Sequence, residues 1–359
     1  MNKYIPAIAF LTTLLSWYSF FSLGFLSALY FPRYLSIVGS ALLYFTSFVC
    51  RPLGAFVLGK VADKRGRSVS VISVLSLIAV GDGLLSAGTP ILAVPSTLMI
   101  GLALGGGWSS SSVLLAEAVR TLRGTWTSLV QLSVPFGLIL ALTVSLSPRL
   151  MLIPSLTSAS LIAISFKIPD TRGVKLGMEL SGVKGLVKGI MVKAGESSNF
   201  YLFTSFSLPL ILEAGLRVGV LPVLAMAIEE TFLMVPMGAL SDIKGRRQII
   251  RAGMMVMFSS AVLLSLSLIL RWNYLVYASF LMFGIGDSLA YAPQGAYLAE
   301  LYDPKHRVTM TGLAYQLSAL FSGGTSVVLA SLLLSRGEYA ILALPLISLF
   351  YVTLSIISV

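Results

Sequence analysis

The sequence predicts an all-α membrane protein in which twelve transmembrane helices form two pseudo-symmetric six-helix bundles. Composition is the first reason: 57% of the 359 residues are hydrophobic and only 11% are charged, whereas soluble domains are about one quarter charged. The second reason is the spacing of the apolar runs, and the third is a charged loop that occurs twice. A chain with this much apolar surface is expected in lipid.

Twelve apolar runs are long enough to cross a bilayer, because about 30 Å of hydrocarbon takes roughly 20 helical residues. The first run has no small-residue cleavage site, so it is interpreted as a membrane helix and not as a removed signal. In the first half the predicted spans are 6–29, 36–59, 68–87, 92–117, 126–146 and 149–166. In the second half they are 189–212, 218–240, 249–270, 273–299, 309–334 and 339–358.

The duplicated loop divides the chain. Its first copy runs from Gly59 to Arg67 and its second from Gly238 to Arg247, 179 residues later. The Ala-Glu pair at Glu117 recurs at Glu300 with a similar offset. Two parallel copies of one unit are typical of transporters built from repeats about an axis along the membrane normal. We therefore predict an N-terminal half (1–166), a polar linker (167–188) and a C-terminal half (189–359).

Basic residues lie mostly on one predicted side of the membrane. Of the 25 lysines and arginines, nineteen fall on the inner side, Lys193 among them, and Arg51 lies within a span. The outer side receives the remaining five, which are Arg33, Arg149, Arg217, Arg271 and Arg336. Because cytoplasmic loops carry the excess of positive charge, we expect a multi-pass protein of the cell membrane with both termini cytoplasmic. The same distribution accounts for the net charge of +11 without nucleic acid.

Several motifs resemble the major facilitator superfamily of transporters, and in detail its metabolite:proton symporter branch. Besides the two loops, they include Arg51-Pro-Leu-Gly54, Gly105-Gly-Gly-Trp108, Arg123-Gly124 with Gln131, and Tyr291-Ala-Pro-Gln294. The resemblance implies the major facilitator fold and a secondary transporter that works by alternating access around a site between its halves. It also implies a small organic acid or zwitterionic metabolite as substrate, moved together with protons.

The sequence departs from that branch at three acidic positions. Ser16 and Ser19 stand where branch members carry acids in the first helix, and Gly107 replaces a glutamate of the fourth. An uncoupled facilitator is therefore an alternative. An efflux antiporter is disfavoured because the fifth span lacks the glycine-proline-glycine-glycine pattern of drug antiporters. A transporter-like membrane sensor is disfavoured because no soluble segment exceeds about 30 residues.

Ionisable groups inside a bilayer cost about 2.5–3.5 kcal/mol each on insertion scales, so each is a candidate site residue. The offset of 179 places Arg51 and Glu230 at equivalent depths. We hypothesise that Arg51 clamps a substrate carboxylate and that Glu230 pairs with it in the empty site; a fixed structural ion pair is the alternative. Candidate proton carriers are Glu230, Glu229 and Asp287, whereas Asp82 is interpreted as structural.

Successive helix residues point about 100° apart, so at most one of Glu229 and Glu230 can face the cavity, and the repeat favours Glu230. Glu196 is open to two interpretations, as a residue of the inner vestibule or of a solvated helix start. The uncharged candidates for substrate binding are Trp17, Tyr18, Gln131, Gln294, Tyr315 and Gln316.

The duplicated loops are predicted to close the inner gate. The resemblance implies that Asp63 faces the N-terminus of the eleventh helix near Val308, and there it is expected to accept hydrogen bonds because the helix dipole favours an anion. Arg67 and Arg123 are expected to pair with Glu117, and Arg246 and Arg307 with Glu300. The alternative is that these charges only anchor the topology. The predicted gating residues are Gly59, Asp63, Gly66, Arg67, Glu117, Arg123, Gly238, Asp242, Gly245, Arg246, Glu300 and Arg307.

Enzyme motifs are missing from the sequence. There is no Gly-x4-Gly-Lys-Ser/Thr phosphate loop and no His-Glu-x-x-His, and His306 and Cys50 are the only residues of their types. We therefore expect no enzymatic activity, no cofactor and no metal. The expected partners are a small-molecule substrate, for which a carboxylate is the candidate, together with protons and the lipid bilayer. The chain is expected to act as a monomer.

Overall fold

The computed structural model describes residues 2–334 and 340–359, whose regular structure is helical apart from one isolated bridge between Leu180 and Tyr302. The first half comprises α1 (Tyr4–Leu29), α2 (Ile37–Arg65), α3 (Arg67–Ser86), α4 (Pro90–Ala118), α5 (Arg123–Ala141) and α6 (Leu152–Ser165). The second half comprises α7 (Gly182–Tyr201), α8 (Leu221–Lys244), α9 (Arg246–Leu270), α10 (Asn273–Tyr291), α11 (Arg307–Ser318) and α12 (Ala340–Ser358).

Three helices of the second half are interrupted and then continue. After α7 come a π-helical turn (Leu202–Phe206) and a short helix (Ser207–Glu213). After α10 the helix resumes at Gln294–Leu301, and α11 is continued by π-helical Ala319–Gly324 and by Thr325–Leu334. Arg336, predicted on the outer side, and residue 339, predicted to begin the last span, lie outside the described residues.

The predicted membrane architecture is confirmed. Among the described residues, eleven helices are long and apolar enough to cross a membrane. The seventh predicted span is helical but does not reach that apolarity, because α7 carries Lys184, Lys188, Lys193 and Glu196. It begins at Gly182, within the stretch predicted as linker. Large apolar side chains cover the outside of the bundle, such as Phe232, which is 73% exposed; lipid is the solvent that suits them.

The most extensive contacts between the two halves are made by two equivalent helix pairs. Helix α2 packs along α11, and α5 packs along α8. Within the first half, α4 packs on α2 and α3, and α1 packs on α5. Within the second half, α10 packs on α8 and α9, and α7 packs on α11 and α12. The two halves are therefore joined through helices that the repeat relates to one another.

The glycines of the duplicated loop lie where the halves cross. A Cβ on Gly59 would lie 2.6 Å from Thr309 Cα, and a Cβ on Gly238 would lie 2.6 Å from the carbonyl oxygen of Gly124. Small residues allow such close backbone contact between membrane helices. Their partner helices also carry glycines at the crossings, since a Cβ on Gly124 of α5 would lie 2.6 Å from Gly238 O and one on Gly312 of α11 would lie 3.1 Å from Ala55 Cβ.

Glycine also sets the distance between α2 and α4, and so the position of Arg51. A Cβ on Gly105 would lie 2.0 Å from the carbonyl oxygen of Arg51, and a Cβ on Gly54 would lie 2.2 Å from that of Leu102. Both obstacles are backbone atoms, which cannot rotate away. The Gly105-Gly-Gly-Trp108 motif thus has a packing role beside the site residue.

We predict that Gly105→Ala destabilises the protein, by about 1–3 kcal/mol, because the added methyl group forces α2 and α4 apart. The matched control is Gly324→Ala, since a Cβ at Gly324 meets nothing within 4 Å. Apparent melting temperatures in detergent should be lowered by the first substitution and unchanged or raised by the second. Equal melting temperatures for Gly105→Ala and the wild type would contradict the packing argument.

Candidate functional site

A cavity lies between the two halves. Trp17, Arg51 and Val134 line it from the first half, and residues of α7, α8, α10 and α11 line it from the second. Five of the lining side chains are ionisable acids or bases, namely Arg51, Lys193, Glu196, Glu230 and Asp287. The free space is about 20 Å³, which is room for one ordered water. The cavity is therefore a narrow, highly charged chamber.

Arg51 occupies the side of the cavity formed by the first half. Its Nε donates to Gln316 Oε1 at 2.8 Å and its Nη1 donates to Tyr201 OH at 3.2 Å. The rings of Trp17, Phe20 and Phe48 surround the guanidinium, with centroids 5.1–5.4 Å from Cζ. Such contacts stabilise a cation without neutralising it. Among the described residues no carboxylate forms an ion pair with Arg51.

The predicted contact between Arg51 and Glu230 is therefore wrong in this structure, both as a resting pair and as a fixed structural pair. The 179-residue offset gives the depth of each residue along its helix but not which helix it faces. Because α2 packs along α11, the guanidinium meets Gln316 of α11 and Tyr201 at the end of α7. Arg51 and Glu230 nevertheless line the same cavity.

The acids of the second half are incompletely bonded. Glu230 and Asp287 are each 2% exposed, yet Glu230 Oε1 and Asp287 Oδ1 have no hydrogen-bond partner among the described residues. Glu229 lies outside the cavity, where its Oε2 faces Gly284 of α10 and is also unbonded. The structure thus brings Glu230 and Asp287 to the cavity and leaves Glu229 at a helix contact.

Lys193 was predicted among the inner-side charges, and this prediction is wrong. It is 1% exposed and donates to Glu196 Oε2 and, at 3.3 Å, to Gln294 Oε1. Its Nζ lies 4.6 Å and 4.1 Å from the ring centroids of Tyr291 and Tyr315. The physical reason is that α7 starts at Gly182, which puts Lys193 about 16 Å into the helix. Glu196 is 4% exposed and lines the cavity, so it does not lie in a solvated helix start.

The uncharged candidates fall into three groups. Trp17 and Tyr315 line the cavity, whereas Gln316 and Gln294 hold its cations, Arg51 and Lys193. The other two candidates face elsewhere. Gln131 accepts from Trp108 Nε1 at 2.7 Å, and Tyr18 is directed toward Thr143 and Ser22.

The cavity also contains residues that were not predicted, chiefly Lys193, Tyr201 and Tyr291. Tyr201 bonds Arg51, and Tyr291 OH lies 2.9 Å from Tyr315 OH. The sequence feature that could have indicated a buried charge is the spacing of Lys193 and Glu196, which lie three residues apart in the predicted seventh span. Charged residues at that spacing share one helix face, which suggests a pair within the membrane and not a solvated helix start.

The positions that depart from the symporter branch lie away from the ionisable residues of the cavity. Ser16 donates to Thr12 O, and the single hydroxyl of Ser19 lies 2.7 Å from each of two acceptors, Leu15 O and Asp82 Oδ2. A Cβ on Gly107 would lie 2.9 Å from Ser16 Oγ, so a glutamate does not fit there in this packing. Asp82 is buried between α1 and α3 and does not line the cavity.

One face of the bundle, called here the loop face, carries the α2–α3 and α8–α9 loops. The predicted Asp63 contact is present: its carboxylate accepts from Val308 N at 3.1 Å, Thr309 N at 3.0 Å and Thr309 Oγ1 at 2.7 Å. Gly66 supplies the turn with φ of 118° and Gly245 supplies its repeat with φ of 91°, values that favour glycine.

Asp242 makes the equivalent contact from the second half to the first. It accepts from Gly124 N and Thr125 N, both at 2.8 Å, and from Thr125 Oγ1 at 2.8 Å. Each half therefore presents an aspartate at the end of its second helix to the N-terminus of the fifth helix of the other half.

Glu117 is the centre of a fully buried cluster on the loop face. Arg67 contacts it through Nε and Nη2 at 2.9 and 2.8 Å, Arg307 Nη1 donates to it at 2.7 Å, and Thr171 Oγ1 donates at 2.8 Å. All three charged side chains are excluded from solvent. The Arg67 contact is as predicted, whereas Arg307 was predicted to pair with Glu300.

Glu300 is the centre of the repeated cluster, which is partly exposed. Arg246 Nη2 donates to it at 2.8 Å, as predicted, and Arg123 Nη1 lies 3.6 Å away. Arg123 was predicted to pair with Glu117. Both errors have one cause: Arg123 and Arg307 begin the helices that cross to the other half, so each reaches the glutamate of the other half. The ion pairs are thereby exchanged between the halves.

The linker is part of this network. Val174 O accepts from Arg307 Nη1 at 2.7 Å, Met178 N donates to Glu300 O at 2.8 Å, and Leu180 N donates to Leu301 O at 2.9 Å. The linker therefore bonds both glutamate clusters. Among the described residues no group of three His, Cys, Asp or Glu side chains is arranged to hold a metal ion.

Known proteins share this architecture. The family model described as sugar (and other) transporter matches residues 7–151. The citrate-proton symporter of Klebsiella pneumoniae is 27% identical, with 90% of this chain and 84% of that protein covered. The alpha-ketoglutarate permease of Escherichia coli is 26% identical over 89% of this chain and 84% of that protein. The Escherichia coli inner membrane metabolite transport protein YhjE is also 26% identical, over 79% and 75%.

Solved structures agree on the fold. A double-tryptophan mutant of XylE superposes with a TM-score of 0.76 at 14% identity, covering 99% of this chain and 93% of that one. The human organic anion transporter MFSD10 gives a TM-score of 0.74 at 14% identity, covering 99% and 97%. Fold, motifs and relatives together show that this chain has the fold of major facilitator superfamily transporters and is similar to metabolite transporters and proton symporters.

Proposed function

We propose that this chain is a secondary active transporter that moves a small organic acid or zwitterionic metabolite by alternating access, in symport with protons. The observation that carries the proposal is the cavity between the halves, in which a guanidinium without a carboxylate partner faces carboxylates with unbonded oxygens. The complete cavity belongs to one chain, so we take the monomer as the functional unit.

Arg51 is the proposed anchor for a substrate carboxylate. Its present partners, Gln316 and Tyr201, are neutral, so its charge is available for an ion pair. Arginine binds carboxylates through two parallel hydrogen bonds, which fixes orientation as well as affinity. The surrounding aromatic rings exclude water and so strengthen that pair. The names of the citrate and alpha-ketoglutarate relatives support an acidic substrate for this chain.

Glu230 and Asp287 are the proposed proton carriers. A buried carboxylate oxygen without a donor is costly when ionised, and protonation removes that cost. Both acids share the cavity with Arg51, so substrate and proton would occupy one chamber and leave it together. They replace the first-half acids missing at Ser16, Ser19 and Gly107. Glu229, which lies outside the cavity, is the less direct candidate.

The loop face is the proposed inner gate, on the cytoplasmic side of the membrane. Without Lys193, the lysines and arginines of the inner side still far outnumber those of the outer side. Loops rich in positive charge are retained in the cytoplasm. Asp63, Asp242 and the Glu117 and Glu300 clusters all bond one half to the other. In this proposal the formed contacts close the cavity toward the loop face, and inward opening requires that they break.

Uptake into proteoliposomes tests the function directly. The purified protein should accumulate at least one member of a labelled panel of carboxylates and zwitterions when the lumen is alkaline. One pH unit can drive about tenfold accumulation per coupled proton, since it is worth 1.36 kcal/mol. Protein-free liposomes and a protonophore are the controls. Uptake that ignores the pH gradient would establish the uncoupled facilitator instead, and no uptake of any acid or zwitterion would refute the proposal.

Asp63→Asn should slow transport about tenfold, because a neutral amide loses the charge-assisted bonds to the N-terminus of α11, worth roughly 1–2 kcal/mol. Asp242→Asn should have the same effect through α5. The matched control is Asp170→Asn, an exposed acid of the same face. Initial uptake rates are compared after normalising to the amount of protein in the membrane. Wild-type rates in the Asp63 and Asp242 variants would show that these contacts only anchor topology.

The exchanged ion pairs predict a specific coupling between residues. In a double-mutant cycle, Arg307→Gln and Glu117→Gln should be non-additive by about 0.5–3 kcal/mol, whereas Arg307→Gln and Glu300→Gln should be additive within about 0.5 kcal/mol. The measured quantity is the stability of the detergent-solubilised protein. A larger coupling to Glu300 than to Glu117 would mean that the pairs are not exchanged between the halves.

A further inference from the structure

Lys193 and Glu196 form an ion pair inside the bundle that the proposed mechanism does not yet use. Both line the cavity, and they lie one turn apart on α7. The ion pair therefore lies within a single helix. Among the described residues, neither side chain forms an ion pair with a residue of another helix. A buried pair of this kind usually stabilises a fold no better than neutral side chains would, which suggests a role other than packing.

The surroundings of Lys193 are suited to an exchange of partners. Besides Glu196, its ammonium contacts the neutral groups Gln294, Tyr291 and Tyr315. The two tyrosine rings stabilise the cation whichever anion it holds. Asp287 also lies within electrostatic range, as does the like charge of Arg51. An anion entering the cavity can thus replace Glu196 without leaving the ammonium unsolvated.

When a substrate anion replaces Glu196 at Lys193, the balance of charge in the cavity requires that a carboxylate take up a proton. Two cations, Arg51 and Lys193, face three carboxylates, Glu196, Glu230 and Asp287. A substrate anion that takes Lys193 leaves Glu196 buried without its cation. An unpaired carboxylate in this setting costs several kcal/mol unless it is protonated. Binding of the second anionic group and uptake of a proton by Glu196 therefore occur together.

We propose that Lys193 is a second substrate-anchoring cation and that Glu196 is its exchangeable counter-ion, so that the preferred substrate is a dianion such as a dicarboxylate. One carboxylate binds Arg51 and the other binds Lys193, while Glu196 holds one proton. When the substrate leaves on the other side, Glu196 releases that proton and pairs with Lys193 again. The inference rests on the proposed function, which by itself admits monocarboxylates and zwitterions; neither of these needs Lys193.

The test uses the double variant Lys193→Gln/Glu196→Gln, which removes the pair without leaving a lone buried charge. Uptake and ligand-induced thermal stabilisation are measured for length-matched acids, succinate against butyrate and glutarate against pentanoate. We expect the half-saturation concentration for dicarboxylates to rise about tenfold or more, the loss of one charge-assisted contact, and that for monocarboxylates to stay within about twofold. The pH gradient should also stimulate dicarboxylate uptake less in this variant.

Two control variants make the outcome specific. Lys184→Gln removes an exposed lysine of the same helix and should change nothing, whereas Arg51→Gln should impair both classes of acid. Unchanged dicarboxylate affinity in the double variant, or equal losses for both classes, would overturn the inference. So would a wild-type protein that carries monocarboxylates or zwitterions but no dicarboxylate, although the proposed function would then stand. Transport of no acid or zwitterion would remove both.

Discussion

The cost of placing charge in hydrocarbon governs how this molecule is built. On the loop face that cost is met for the carboxylate of Glu117, both of whose oxygens accept from arginines and a threonine, although Nη2 of the buried Arg307 has no partner among the described residues. In the cavity it is met incompletely, since Arg51 has only neutral partners and Asp287 retains an unbonded oxygen. Complete pairing suits a contact that holds two bodies together. Incomplete pairing suits a site that has to accept and release an ion.

Because the structural unit is duplicated, each contact that the first half makes to the second on the loop face has an equivalent made by the second half to the first. Because the repeat is parallel, the end of α2 meets the start of α11 in the same way as the end of α8 meets the start of α5. The two sets nevertheless differ in environment, for Glu117 is dry and bonded by the linker through Thr171, whereas Glu300 is partly exposed. The attraction between opposite charges is therefore stronger within the Glu117 cluster, since its dielectric surroundings are lower, and the desolvation of those charges offsets part of that gain.

Sequence analysis predicts the depth of a residue along its helix. It does not predict the residue's bonding partners, because these depend on which helices are neighbours. Composition and periodicity located the spans, and the predicted span 36–59 placed Arg51 inside the membrane. The partners of Arg51, Arg123 and Arg307 were missed because the offset between repeats carries no information on packing across the halves. Lys193 was misplaced for a related reason: its depth depends on the start of α7, and a polar first turn resembles a linker when only hydropathy is considered.

The two halves also differ in how regular their helices are beside the cavity. From the first half, α1 and α2 pass Trp17 and Arg51 without interruption. From the second, α7 changes to a π-helical turn directly after Tyr201, and α11 does so at Ala319, which lines the cavity. A π-helical turn weakens the backbone hydrogen-bond ladder and is frequent at functional sites. Tyr201 connects these features, because its hydroxyl bonds Arg51 and its ring lies against Gly323. A carboxylate that takes Arg51 from Tyr201 therefore acts first on two helices that contain π-helical turns, and these belong to the half that carries Lys193, Glu196 and the other acids.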